Sequence, residues 1–236
     1  MLPEVESGVI SIIATIAGFY CYHYLTEFRI ISSLFSGKHD DPDRLTVTDF
    51  VSAKMTGFLF LGFLPFLFFM VFTPISFADI GLTFGETGKY WYLLILMPVL
   101  AVLITSQASK NQRQQEIYPQ MRLKRWGIRR VGISFGGWAI YLFAYEFLFR
   151  GILWFLCYKA FGFLPALVIN LSLYSSLHMP KGIKETLGAI PVGLILCIFS
   201  YLTGSFFLAF ITHLAIASST ELFSVYHNPD MHYSNQ

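Results

Sequence analysis

Seven apolar segments, each close to the length of a membrane-crossing helix, recur along the chain. A helix needs roughly 20 apolar residues to cross the hydrocarbon core of a bilayer. Because a backbone in lipid must satisfy its own hydrogen bonds, the pattern predicts an all-α, polytopic membrane protein with about seven transmembrane helices. The segments cover residues 8–25, 55–76, 90–106, 132–161, 164–178, 187–202 and 206–223.

The composition excludes an ordinary soluble protein. Only 13% of the 236 residues are charged and 55% are hydrophobic, whereas soluble domains carry roughly a quarter charged residues. A formal net charge of +2 is too small to indicate a nucleic-acid partner. Cys21, Cys157 and Cys197 lie in apolar stretches without metal-type spacing, so we expect neither a disulfide framework nor a zinc knuckle.

The basic residues predict the orientation in the membrane. Thirteen of the 16 Lys and Arg residues fall on one side of seven alternating helices, two fall on the other, and Arg150 lies within a span. The positive-inside rule therefore predicts an N terminus outside and a C terminus in the cytoplasm. Seven basic residues of the 110–130 loop surround Trp126 and predict an anchor on membrane lipids with anionic headgroups.

The chain divides into three parts on this pattern. Residues 1–131 hold the first three predicted membrane helices and the basic cytoplasmic loop. Residues 132–223 hold four predicted helices and the candidate site residues, and residues 224–236 form a C-terminal tail.

Four ionisable side chains lie where a membrane protein has few: Glu146, Arg150, His178 and His213. Each costs several kcal/mol in a bilayer, so such groups point to function. Glu146 and Arg150, at i and i+4, also suit a purely structural ion pair, and His178 alone suits an interfacial helix end. Together, one carboxylate and two imidazoles from three helices suffice to activate water.

The same three groups also suit a zinc ion held by two histidines and one glutamate. The sequence has no H-E-x-x-H motif, so nothing fixes two ligands on one helix. We therefore expect no metal and no other cofactor, with zinc at Glu146, His178 and His213 as the less favoured alternative.

The depth of these residues in the membrane presents a mismatch. A helix starting at Arg130 would place Glu146 about 24 Å along its axis, far from His178 at the cytoplasmic end of its span. We expect Gly132, Gly136 and Gly137 to break the helix, so that the span begins near Gly137 and Glu146 lies about 14 Å in. The site would then open toward the cytoplasm.

Three short motifs connect the candidate residues. The first is Y-E-F-L-F-R-G at 145–151, which is close to the pattern E-E-x-x-x-R-G. The second is Y-S-S-L-H at 174–178, close to F-x-x-x-H, and the third is H-L-A-I-A at 213–217, close to H-x-x-x-N/D. The glycine-containing stretch 193–205 lies between the last two. With these motifs, residues 137–219 resemble the CAAX protease and bacteriocin-processing family, glutamic intramembrane proteases that include the type II CAAX prenyl endopeptidases.

Two positions depart from the family pattern. Tyr145 replaces the first glutamate, which the family uses to activate water, and Ala217 replaces a polar residue that helps to hold the oxyanion. Neighbouring helix positions point about 100° apart, so Glu146 substitutes for a glutamate at 145 only if the helix rotates or bulges. Substitute polar groups near the motifs are Asn170, Tyr174 and Ser218.

The resemblance implies an intramembrane endopeptidase acting on a membrane-associated or lipidated peptide or protein. Glu146 would act as base on a water shared with His178, while His213, with Asn170 or Ser218, would stabilise the oxyanion. The alternative is a catalytically inactive membrane scaffold or immunity-type binding protein. There Glu146 and Arg150 would form a packing pair and His213 would bond Tyr145 or a carbonyl. The sequence does not identify the substrate.

Overall fold

The computed structural model describes residues 4–37 and 41–234, which are almost entirely helical. Two helices contain an internal π-helical stretch, one of them in the first sequence motif. The helices are α1 (Glu4–Glu27), α2 (Ile30–Phe35), α3 (Pro42–Phe58) continuing through π-helical Leu59–Phe63 into α4 (Leu64–Phe72), α5 (Leu93–Ala108), α6 (Gln112–Ile117), α7 (Ile128–Glu146) continuing through π-helical Phe147–Leu153 into α8 (Trp154–Phe161), α9 (Phe163–Ser176), α10 (Ile183–Thr203) and α11 (Phe207–His227).

The all-α, polytopic membrane fold predicted from the sequence is confirmed. By length and apolar composition, five described helical stretches suffice to cross a membrane. Two further apolar helices, α5 and α9, are shorter, so the count of seven crossings stays a prediction. The five stretches are Glu4–Glu27, Pro42–Phe72, Ile128–Phe161, Ile183–Thr203 and Phe207–His227.

The stretch Ile128–Phe161 is the central helix of the bundle, with 78% of its most apolar window buried. Helix α3 packs on α7, α1 packs on α8, and α11 packs on both α5 and α7. Small residues allow these close approaches: a Cβ on Gly62 would lie 2.7 Å from the Ala144 Cβ, and one on Gly8 would lie 2.6 Å from the Ala160 Cβ. Such contacts are the usual basis of helix association in membranes.

The expected break near Gly137 is wrong. Helix α7 begins at Ile128 and runs through Gly137 without interruption. A Cβ at Gly137 would lie 2.6 Å from the Phe50 ring, so this glycine admits α3 at close range. The depth mismatch closes at the other end instead. Helix α9 has only 14 residues, about 21 Å, so the chain turns at His178 before it has crossed a full bilayer thickness.

The C-terminal residues are tied to the basic loop. Strand β1 (Arg125–Trp126) pairs in parallel with β2 (His232–Tyr233), and the Tyr233 hydroxyl donates to the Leu222 carbonyl at 2.7 Å. Trp126 is buried at this junction, and its indole N–H donates to the Leu123 carbonyl. The basic loop is thus held to α11 by the C-terminal strand.

Candidate active site

The first motif lies where α7 becomes π-helical. Glu146 is the last residue of α7, and Arg150 lies within the π-helical stretch Phe147–Leu153. A π turn accommodates an extra residue, which rotates the preceding helix by roughly 100° relative to the following one. The bulge that Glu146 needs to reach the site is therefore present at the position where the sequence departs from the family pattern.

The Glu146 carboxylate joins two partners from different parts of the chain. Its Oε1 accepts a hydrogen bond from Nδ1 of His213 on α11 at 2.5 Å, and its Oε2 lies 3.3 Å from Nη1 of Arg150. Both Glu146 and Arg150 are completely buried. The Glu146 carboxylate thus forms both the ion pair with Arg150 and the contact with His213.

Arg150 is enclosed by an aromatic ring and a glycine. The centre of its guanidinium lies 4.0 Å from the centre of the Tyr174 ring, a cation–π contact between the first two motifs. A Cβ on Gly193 of α10 would lie 2.9 Å from Tyr174 Cδ1 and 3.3 Å from Arg150 Nη2. Gly193 therefore gives α10 the room to pack on this pair.

Asn170 stabilises the π-helical stretch. Its Nδ2 donates to the Phe149 carbonyl at 2.6 Å, and its Oδ1 accepts from the Cys197 thiol at 3.3 Å. Asn170 is completely buried and lines neither of the two cavities described below. Asn170 thus bonds the backbone of the π-helical stretch and does not face the space that a substrate would occupy.

His178 lies beyond the end of α9, in the connection to α10. Its Nδ1 is 2.8 Å from the Tyr174 carbonyl oxygen. Since a carbonyl only accepts, Nδ1 carries the proton and Nε2 is left as an acceptor. Burial, with the nearby Lys181 charge, lowers the pKa of His178 to about 3, so the ring is neutral at physiological pH.

The two histidines share two cavities. One cavity has a volume of about 160 Å³ and the other of about 340 Å³, and both are lined by His178 and His213. Trp138 and Lys181 also line both. The smaller cavity adds polar and aromatic groups, and the larger adds a small and apolar stretch of wall together with the charged Lys184 and Glu185. Further lining residues include Tyr145, Lys54 and Gln120 in the smaller cavity and Gly188, Ala189, Val192 and Ile216 in the larger.

Glu146 lines neither cavity, because His213 lies between the carboxylate and the open space. The side chain of His213 is 14% exposed, whereas that of Glu146 is fully buried. Since Nδ1 of His213 is bonded to Glu146, its Nε2 is the ring nitrogen left for a ligand in a cavity. The imidazoles, and not the carboxylate, are therefore the site's accessible bases.

The remaining candidates separate into two groups. Tyr145 lines the smaller cavity, and its buried hydroxyl has no hydrogen-bond partner among the described residues. Ala217 lines the larger cavity. The Ser218 hydroxyl, in contrast, is buried without a partner in the described part of the chain and lines neither cavity. Tyr145 therefore brings a free donor to the histidines, and Ser218 does not.

Sequence reasoning missed three cavity residues. Lys54, Gln120 and Lys181 line the smaller cavity beside the histidines. In the sequence, Lys54 and Lys181 counted only as basic residues on the cytoplasmic side. Only their positions in the sequence could have indicated a role at the site: Lys54 directly precedes an apolar run, and Lys181 follows His178 by three residues.

The zinc alternative needs Glu146, His178 and His213 as common ligands. Across residues 4–37 and 41–234, no group of three or more His, Cys, Asp or Glu side chains is arranged to hold a metal ion. Glu146 instead contacts His213 and Arg150.

Comparison with known proteins agrees with the motifs. Residues 127–219 match a family described as Rce1-like, type II CAAX prenyl endopeptidase. The match runs from the start of α7 into α11 and includes Glu146, His178 and His213. No curated protein and no solved structure matches the chain. The resemblance inferred from the motifs is confirmed: residues 127–219 of this chain are similar to the Rce1-like family of type II CAAX prenyl endopeptidases.

Proposed function

We propose that this protein is an intramembrane endopeptidase that hydrolyses a peptide bond of a lipid-modified, membrane-associated peptide. The observation that carries the proposal is the contact between the buried Glu146 carboxylate and His213, in a site where His213 and His178 face the same two cavities. A water placed between two imidazoles, one of them backed by a carboxylate, is the minimum needed for hydrolysis.

In this mechanism His213 is the general base. Its Nε2 takes a proton from water as the water attacks the scissile carbonyl, and the Glu146 carboxylate on Nδ1 stabilises the imidazolium that forms. The imidazolium then gives this proton to the amine nitrogen as the C–N bond of the tetrahedral intermediate breaks, which releases a carboxyl group and an amine. Glu146 is then a positioning residue. The engagement of both its oxygens supports this role over the direct base suggested by the sequence.

Two other groups complete the proposed chemistry. His178 accepts the second hydrogen of the water through Nε2, because its Nδ1 proton is held by the Tyr174 carbonyl. The Tyr145 hydroxyl donates to the carbonyl oxygen as that oxygen becomes negative, an oxyanion-stabilising role that removes the need for a polar residue at 217. The reaction drawn here uses no metal.

The proposed substrate follows from the family description and the cavities. A prenyl endopeptidase acts on a peptide that carries a prenyl group. The larger cavity, lined in part by Ala189, Val192, Ile216 and Ala217, offers an apolar surface for such a chain beside the histidines. We propose that this site opens toward the cytoplasm, with the N terminus of the protein outside.

Cleavage of a defined peptide tests the proposal. The purified protein in liposomes is given a quenched fluorescent peptide with an S-farnesyl cysteine three residues before its C terminus, in water enriched in ¹⁸O. We expect cleavage at one bond, one ¹⁸O atom in the new carboxyl group, and no loss of rate when metal chelator is added. Metal content is measured on the same sample.

A second candidate function is a non-catalytic membrane binding protein that retains the fold. Tyr145 favours it, because the family has a glutamate at this position. Under this alternative the folded protein binds the farnesylated peptide in the same liposomes and releases no product. Product bearing ¹⁸O excludes it.

A further inference from the structure

Lys54 is a buried cation in the wall of the smaller cavity. It belongs to the membrane-crossing stretch Pro42–Phe72 and is only 3% exposed. Its Nζ donates to Gln120 Oε1 at 2.8 Å and lies 3.1 Å from the centre of the Trp138 ring. An ammonium has three N–H donors, so the hydrogen bond to Gln120 leaves two for a further acceptor.

Lys181 is a second cation in the same wall. Its Nζ donates to the Tyr118 hydroxyl at 2.9 Å. In the part of the chain that the structure describes, no carboxylate oxygen lies within 4.0 Å of Nζ of Lys54 or Lys181. Two ammonium groups without a direct ion pair at a membrane-embedded cavity are costly, and an anion between them would offset that cost.

Glu221 is an acid that interacts electrostatically with both lysines without a direct ion pair to either of them. Glu221 is buried, and its Oε1 accepts from the Gln120 backbone N–H at 2.9 Å. It lines neither cavity. Glu221 thus offsets part of the charge of both lysines without lining the cavity that they share.

We propose that the smaller cavity is a carboxylate-binding subsite in which Lys54, Lys181 and the Gln120 amide hold the C-terminal carboxylate of the peptide substrate. The inference rests on the proposed function. Both lysines share the cavity with His178 and His213, and the same two histidines line the larger cavity with its apolar stretch of wall. A peptide with its lipid in one cavity and its carboxylate in the other has its intervening bonds at the two imidazoles.

The subsite is tested with two peptides that differ only at the C terminus. One farnesylated peptide ends in a free carboxylate and the other in a carboxamide, and both are assayed in liposomes of phosphatidylcholine, which carry no anionic headgroup. We expect the wild-type protein to favour the carboxylate by about 10- to 100-fold in kcat/KM, mostly through KM, because charged hydrogen bonds are lost with the amide.

Variants at one position assign the effect. Lys54→Met should abolish the preference by lowering kcat/KM for the carboxylate peptide to the value for the carboxamide peptide, whereas Lys54→Arg should retain a preference. Lys124→Met, which removes an exposed lysine from the basic loop, is the matched control and should behave as the wild type. Equal cleavage of both peptides by the wild type overturns the subsite, and so does an equal loss for both peptides in Lys54→Met.

Binding separates this inference from the proposed function. If neither peptide is cleaved, the Kd of each labelled peptide for the wild-type protein and Lys54→Met is measured by fluorescence anisotropy. A preference for the carboxylate that disappears in Lys54→Met supports the subsite although proteolysis has failed. Equal Kd values for the two peptides overturn it.

Discussion

Two buried charge clusters on either side of His213 are built on opposite principles. In the first, Glu146 is in contact with both Arg150 and His213, so each charge has its partner within the protein. In the second, Lys54 and Lys181 line a cavity, and their hydrogen-bond partners within residues 4–37 and 41–234 are all neutral. The paired cluster is suited to hold catalytic groups in place, and the unpaired cluster is suited to receive a ligand's charge.

The largest expected effect separates the clusters by stability. Glu146→Leu leaves Arg150 as an unpaired buried charge and should lower the free energy of unfolding in mixed micelles by about 3–5 kcal/mol. Lys54→Met removes a cation that lacks an ion pair and should change it by no more than about 1 kcal/mol, since the lost cation–π contact offsets the relief. Equal destabilisation by both variants would mean that Lys54 is a structural residue.

A smaller effect is expected at the glycine beside the paired cluster. Gly193→Ala places a Cβ 2.9 Å from Tyr174 and 3.3 Å from Arg150 and should destabilise the protein by about 1–3 kcal/mol, with loss of activity because Arg150 is displaced. Gly188→Ala on the same helix is the control, because its Cβ would meet no atom of the described residues outside its own helix backbone within 4 Å. Thermal unfolding of both variants in detergent compares them. A harmless Gly193→Ala would contradict the close packing.

A pH dependence is expected at the point where the clusters meet. The pKa of His178 is lowered to about 3 by burial and by Lys181, whereas that of an unfolded histidine is near 6.5. Its neutral form therefore contributes stability that is complete above pH 6.5 and is lost as the pH falls toward 3. Denaturation between pH 7 and pH 4 should show a shallower decline in His178→Gln than in the wild type, and identical slopes would contradict this.

The fold and the motif residues were accessible from the sequence because they depend on local patterns. Apolar runs determine membrane helices wherever they occur, and the paired positions Glu146 and Arg150 share a helix face. The sequence also identifies Glu146 and His213 among the few ionisable groups within membrane helices, but it does not predict the direct contact between them.

The rest depends on tertiary packing. Glycines near the start of α7 suggested a helix break, yet Gly137 serves close packing on Phe50. The π-helical stretch has no pattern of its own in the sequence, and its Phe149 carbonyl is satisfied by Asn170 from another helix. Lys54 looked like a topology signal because nothing near it in sequence reveals that Gln120 and Trp138 enclose it.

The central claim is that His213, held by Glu146, activates water. The most direct test is the cleavage rate of the farnesylated peptide by His213→Gln, compared with the wild type and with His227→Gln. His227 lies on the same helix, and among the described residues its ring bonds only the Phe223 carbonyl, so it is the matched control. We predict a loss of at least about 10³-fold for His213→Gln alone, with folding and peptide binding retained. Cleavage by His213→Gln at the wild-type rate would contradict the account.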